Sequence, residues 1–232
     1  MPDFTVISSN RLEILADRLA EVVRKPLAKT LEAETIIVQS RGMERWISMA
    51  LARRNKICAN VWYPFPNIFL ETLVRNVLPG LPEISPFNRD ILTYRILKIL
   101  PSFLNRPHFS ALRRYLTEDN NGLKAYQLSL KLADLYDQYL VFRPEMVLQW
   151  DAGQGESSTD HRWQAELWRA LASGKEQQHR AYLNQEFQKR IETTPTAATR
   201  LPSRISLFGI SYLPPFHLQS FIGLSRVVPV QL

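Results

Sequence analysis

Two periods of apolar residues alternate along this chain. Residues 4–8 (Phe-Thr-Val-Ile-Ser) are a short apolar run that predicts a buried strand, followed by Ser9 and Asn10 as turn or helix-capping residues. Residues 11–19 then place apolar side chains at helical spacing. A second run, residues 34–40, is rich in β-branched residues and ends at Arg41-Gly42. The next helix is predicted from about 43 to 54, with Met43, Trp46, Ile47 and Leu51 on one face. Strand, helix, strand, helix implies parallel pairing, with strands covered on both sides.

The pattern changes at Tyr63-Pro64-Phe65-Pro66, a stiff extended element. From there to about residue 191 the period is helical almost throughout, with helices predicted at 69–77, 88–100, 109–115, 123–140, 144–150, 162–171 and 181–191. Turn signals separate them, among them Leu78-Pro79-Gly80 and Asp119-Asn120-Asn121-Gly122, and residues 153–160 are expected to be a mobile loop. Strand character returns at 204–210 and 227–231, joined by a helix that opens at Pro214-Pro215 and runs to about 224. The expected organisation is an α/β domain in residues 1–66, a mostly helical inserted subdomain in 67–200 and a return to the α/β domain in 201–232. A last strand signal that runs to Leu232 predicts that neighbouring strands and covering helices lie outside this sequence.

Composition narrows the class. The chain has 232 residues, 45% of them hydrophobic, enough for a sizeable core. It contains no run of about 18 uncharged apolar residues, and its start lacks the pattern of a secretory signal, so a membrane span and export are not expected. One cysteine, Cys58, permits no internal disulfide and fits the cytoplasm. Four histidines, none at i, i+4 spacing from another, argue against a zinc site. The net charge of +7 favours an acidic partner. Between Arg41 and Lys56 five basic residues face one acid, Glu44, which makes either a nucleic-acid surface or a solvated helix face.

A strand, tight loop and helix at the start is the layout of a phosphate-binding loop, yet the glycines and the Lys-Ser/Thr pair are all missing. Ser9-Asn10-Arg11 supplies neither bare backbone for a triphosphate nor the hydroxyl-after-lysine that holds Mg²⁺. No carboxylate occurs between Arg204 and Leu232, so the acidic pair that follows a buried strand in helicase-type hydrolases is also missing. These absences fit either a disarmed nucleotide-hydrolase scaffold or an α/β domain that never bound nucleotide. Asp134 and Asp137, at i, i+3, share a helix face; they are a solvated pair, partners for arginines, or acceptors for base amines, and no third metal ligand is visible. Most tryptophans sit at helix-face positions that suit packing, whereas Phe65 on its extended segment suits either the core or a stacked base. Ser40, Ser211 and Cys58 lie in no nucleophile motif, so no catalytic residue is assigned.

Five segments taken together resemble the N-terminal region of the RecC family, the gamma subunit of the bacterial exodeoxyribonuclease V (RecBCD) complex. They are Ser9-Asn10-Arg11-Leu12, Val38-Gln39-Ser40-x-Gly42-Met43-x-x-Trp46, Tyr63-Pro64-Phe65-Pro66, residues 133–144 (Ala-Asp-Leu-Tyr-Asp-Gln-Tyr-Leu-Val-Phe-Arg-Pro) and Phe208-Gly209-Ile210-Ser211-Tyr212-Leu213-Pro214-Pro215. The resemblance implies a superfamily 1 helicase-like α/β domain that lacks the nucleotide site, with a helical subdomain inserted. It further implies a non-catalytic DNA-binding subunit that guides unwound single strands and scans for a recombination hotspot (Chi) in double-strand break repair. RecB-like and RecD-like subunits and single-stranded or forked DNA would be the partners. ATP and Mg²⁺ would act in the partner subunits, with no metal or cofactor in this chain. Its strand-reading positions would be Gln39, Arg41, Arg45, Phe65, Asp134, Leu135, Asp137 and Arg180, with Glu71 at a ninth. Arg41 and Arg45 depart from the smaller polar residues expected there, and Glu71 from an aromatic. An active ATP-dependent helicase domain, or an interaction scaffold without DNA contact, are the alternatives.

Overall fold

A computed structural model describes residues 3–29, 31–155 and 159–232, as two compact units. One is made of residues 1–79 and 186–232, the other of residues 80–185.

The first unit is built on a five-stranded, wholly parallel sheet of order β1-β5-β4-β2-β3. Its strands are β1 (Phe4–Thr5), β2 (Glu34–Ile37), β3 (Val61–Trp62), β4 (Ile205–Leu207) and β5 (Val230–Gln231). The helices that follow β1 to β4 are α1 (Leu12–Val23), α2 (Arg41–Asn55), α3 (Pro66–Val77) and α11 (Pro215–Leu224). The order of strands decides which face each helix covers. From β1 to β2 and on to β3 the chain steps in one direction across the sheet; from β3 to β4 and on to β5 it steps back. Right-handed crossovers therefore place α1 and α2 on one face and α3 and α11 on the other. The packing agrees. Ile36 and Val38, two residues apart, join Ala16, Leu19, Ala20, Ile47 and Leu51 in one core. On the opposite face α3 meets α11 through stacked Phe69 and Phe221, whose ring centres are 5.9 Å apart.

The opening strand is shorter and less buried than its apolar run predicts. β1 pairs only with β5 at the edge of the described sheet, so Thr5 and Val6 are exposed. Helix α1 starts at Leu12 with Arg11 at its N-cap; Ser9 does not cap it, because its hydroxyl accepts the Arg11 N–H instead, at 3.0 Å. β2 ends at Ile37, and its pairing continues one step through the Val38 N–H donated to the Pro64 carbonyl at 3.1 Å. β3 was hidden in the sequence, since two residues before a proline-rich segment make no strand-length apolar run. β5 likewise occupies only the end of its predicted range.

The second unit is helical: α4 (Arg89–Phe103), α5 (Ser110–Leu116), α6 (Leu123–Phe142), α7 (Pro144–Asp151), α8 (Thr159–Ala172) and the start of α9 (Arg180–Thr193). A short α10 (Pro195–Ala198), which periodicity missed, precedes the return to the sheet. Helix α6 begins at Leu123 for two local reasons. Gly122 takes a φ of +75° that disfavours any side chain, and the Asp119 carboxylate accepts the Lys124 and Ala125 N–H groups at 3.2 and 2.8 Å. Trp150, Trp168 and Tyr136 are fully buried at the centre of this unit. Buried His179 accepts the Tyr182 N–H on Nδ1 (3.2 Å), which leaves Nε2 to donate to Asp151 (2.7 Å). The second oxygen of Asp151 accepts the Trp168 indole N–H at 2.8 Å, so one carboxylate ties α7, α8 and the start of α9 together. Of the loop expected at 153–160, residues 156–158 lie outside the described residues, and α8 already begins at Thr159. Among the described residues no helix is long and apolar enough to cross a membrane.

Candidate nucleic-acid interface

Neighbouring strands β2 and β4 are followed by helices on opposite faces of the sheet, the switch point at whose C-terminal edge open α/β sheets take ligands. Gln39 lies just past the end of β2, at this edge. Its Nε2 donates to the Tyr212 carbonyl at 3.0 Å, joining the β2–α2 loop to the β4–α11 loop. Ser40 caps α2 by accepting the Met43 N–H at 3.1 Å, which sets the angle at which the helix leaves the sheet. On the other side Gly209, at φ +64°, lets the β4–α11 loop pass close to α2: a Cβ there would lie 2.9 Å from the Met43 methyl. Trp46 of α2 stacks on Phe208 with ring centres 6.1 Å apart, so it packs although it is partly exposed.

Three further predicted residues gather at this edge. Phe65 is half-buried at the N-cap of α3, and the Arg41 guanidinium lies 5.5 Å from its ring centre. Arg41 also pairs with Glu44 at 2.6 Å but remains largely exposed. Arg45, one turn further along α2, is exposed and has no ion-pair partner among the described residues. The basic stretch is thus not one patch. Arg53 and Arg54 sit in the last turn of the 15-residue α2, where they complement the helix dipole, and Arg54 is tied to Asp17. Only Arg41 and Arg45 of this stretch stand at the start of α2. Glu71 lies on α3 and pairs with Arg75 at 3.0 Å.

The remaining predicted residues belong to the helical unit. Asp134 and Asp137 share a face of α6, as their spacing requires. Each faces an arginine. Arg89 of α4 pairs with Asp134 and donates a second bond at 3.2 Å, and Arg180 lies 3.7 Å from Asp137. Leu135 packs, half-buried, against the core of the unit. Among the described residues no three His, Cys, Asp or Glu side chains form a metal-binding group.

Sequence reasoning did not find Tyr212 or Arg89. They meet their partners from 173 and 45 residues away, and no local pattern carries such a pairing. Gly209 had a local signal, a glycine at the end of an apolar strand, which marks a bend or a close approach of backbone.

The family model described as RecC, N-terminal domain, matches residues 4–232. The chain is 40% identical over 238 residues to the RecBCD enzyme subunit RecC of Escherichia coli strain K12, covering 98% of this chain and 21% of that protein. The same subunit of Haemophilus influenzae is 35% identical over 257 residues, covering 99% of this chain and 23% of its own length. That of Mycolicibacterium smegmatis is 26% identical over 224 residues. The chain spans about a fifth of the length of these relatives. A match along nearly the whole chain, at this identity, means that the chain belongs to the RecC family and corresponds to its N-terminal domain.

Proposed function

We propose that this chain is the N-terminal, non-catalytic part of a RecC-type subunit that guides single-stranded DNA across the C-terminal edge of its parallel sheet. The observation that carries the reading is the C-terminal sheet edge at which β2 and β4 send their helices to opposite faces. There Gln39 bridges the two outgoing loops, beside an arginine laid on a phenylalanine and beside Arg45, which makes no ion pair among the described residues. Such a switch point is where open α/β sheets take ligands. Here its polar and cationic groups suit a phosphate backbone with bases stacked beside it. The Arg41 plane over Phe65 offers a base a guanidinium face rather than a bare ring.

On this reading the α/β unit is a superfamily 1 helicase-like domain without its nucleotide site, and the helical unit is a subdomain inserted into it. RecB-like and RecD-like subunits are its partners, ATP and Mg²⁺ act in them, and the complex works in the cytoplasm on broken DNA. In the helical unit, Asp134 and Asp137 would select bases rather than add affinity, because phosphates repel them. Arg89 and Arg180 hold these carboxylates in the absence of DNA, so a base amine would take the place of an arginine. Hotspot scanning rests on that exchange.

The test is a pair of substitutions read against salt. Arg45→Ala should lower the slope of log affinity against log salt by about 0.7, the share of one phosphate contact on a single strand. Phe65→Ala should cost about 1–3 kcal/mol of binding with little change in slope. If Arg45→Ala leaves both affinity and slope unchanged, the strand does not cross this edge.

A further inference from the structure

The C-terminal edge of the sheet carries an aromatic side chain that neither the core nor the proposed strand path has used. Phe65 is half-buried with the Arg41 guanidinium over it, and Trp46 is backed by Phe208. Tyr212, on the β4–α11 loop, differs from both: it is 62% exposed, and its ring meets no other ring or cation among the described residues. The exposed tyrosines of the helical unit do have such neighbours. Tyr94 lies against Tyr126, and Tyr115 lies under the Lys124 ammonium.

The loop that carries Tyr212 is held at three points. At its start Gly209, at φ +64°, packs on the Met43 methyl. At its end Pro214 and Pro215 fix the backbone, Pro215 in the first turn of α11. Between them the Tyr212 carbonyl accepts the Gln39 Nε2 proton at 3.0 Å. That bond is made by the main chain, so it orders the residue while its ring stays in water. Gln39 stands two residues before Arg41, which ties Tyr212 to the loop that carries the Arg41–Phe65 pair. A ring on a fixed backbone has only two side-chain torsions left to lose when a ligand covers it. No Asp or Glu occurs between Arg204 and Leu232, so nothing acidic on this loop repels a phosphate backbone. A neutral ring that offers a face to solvent suits a base, since every base has a π-face to stack.

We infer that Tyr212 is a second stacking residue of the single-strand path, taking one base on its exposed ring beside the Arg41–Phe65 pair. This role rests on the sheet-edge path proposed above and adds to it a contact from the β4–α11 loop.

Anisotropy titration of a labelled single-stranded oligonucleotide with the whole chain tests it. Tyr212→Ala should weaken binding about 5- to 150-fold, the loss of one stacked base, with the slope against salt unchanged because the ring neutralises no phosphate. Tyr212→Phe keeps the ring and should bind within about twofold of the parent. Both variants keep the main-chain bond to Gln39, so their urea midpoints should match that of the parent. The role is overturned if Tyr212→Ala binds as the parent does, if Tyr212→Phe loses as much as Tyr212→Ala, or if the loss in Tyr212→Ala comes with a lowered midpoint. Should Arg45→Ala lower the slope while Tyr212→Ala binds normally, the sheet-edge path stands and only the Tyr212 contact falls. A parent that binds no strand removes both.

Discussion

Replacing Arg204 with methionine should destabilise the α/β unit more than almost any other single change outside its apolar core. Glu34 opens β2 and Arg204 immediately precedes β4, so their pair anchors the N-terminal ends of the two strands that meet at the switch point. Both side chains are nearly buried, at 12% exposure for Arg204 and 7% for Glu34. The arginine Nε donates to both carboxylate oxygens, at 2.8 and 3.0 Å, and a terminal nitrogen donates to the Lys25 carbonyl at 2.8 Å, just past the end of α1. Arg204→Met removes the partner and leaves a buried carboxylate without compensation, for which about 3–5 kcal/mol is the expected cost. That is a large fraction of the 5–15 kcal/mol that typically holds a domain. Arg204→Met combined with Glu34→Leu removes both charges, and an apolar pair of similar volume is close to neutral at such sites. The remaining loss in the double variant is the bond to the α1 end, about 1 kcal/mol. Urea unfolding followed by circular dichroism measures all three proteins. A single variant within about 1 kcal/mol of the parent, or a double variant no more stable than the single, would refute the reasoning.

Two other outcomes follow from local geometry. Gly209→Ala should cost about 1–2 kcal/mol, because φ +64° is unfavourable for a side chain and the new Cβ meets the Met43 methyl at 2.9 Å; an unchanged urea midpoint would contradict this. Tyr136 donates to the Gln164 carbonyl at 2.8 Å, so Tyr136→Phe should lose about 1 kcal/mol at neutral pH. Burial, and then the neighbouring Tyr139, raise the Tyr136 phenol well above its usual pKa, so the folded chain keeps a proton that the unfolded chain gives up. That contribution is complete below about pH 10 and is lost as pH rises beyond it. Stability measured from pH 8 to 11 should therefore fall less steeply in Tyr136→Phe than in the parent, and equal slopes would count against the assignment.

Long helices were the most legible part of this chain. Helix α6 starts at the predicted Leu123, because an apolar period and a glycine turn agree there, and α4, α7, α8 and α11 lie close to their predicted ranges. Strands were less legible. In a small parallel sheet most of the signal comes from burial, and β3 and β5 have only two residues each to carry it. The run at 4–8 looked buried because its residues are apolar, but side-chain type does not say whether a strand lies at an edge. At the candidate interface, the sequence pointed to Gln39, Arg41, Arg45 and Phe65 on loops and helix starts that the sheet brings to one edge. It could not show that Gln39 holds the β4–α11 loop, or that Asp134 is occupied by Arg89. Both are tertiary pairings between residues with no shared local pattern.

The sheet edge is expected to bind a single strand through its backbone and without nucleotide. Fluorescence anisotropy of a labelled single-stranded oligonucleotide, titrated with this chain across a salt series with and without Mg²⁺ and ATP, tests it most directly. Affinity should fall linearly in log–log form with salt and be indifferent to ATP. Affinity that depends on ATP, or no binding even at the lowest salt, would contradict it.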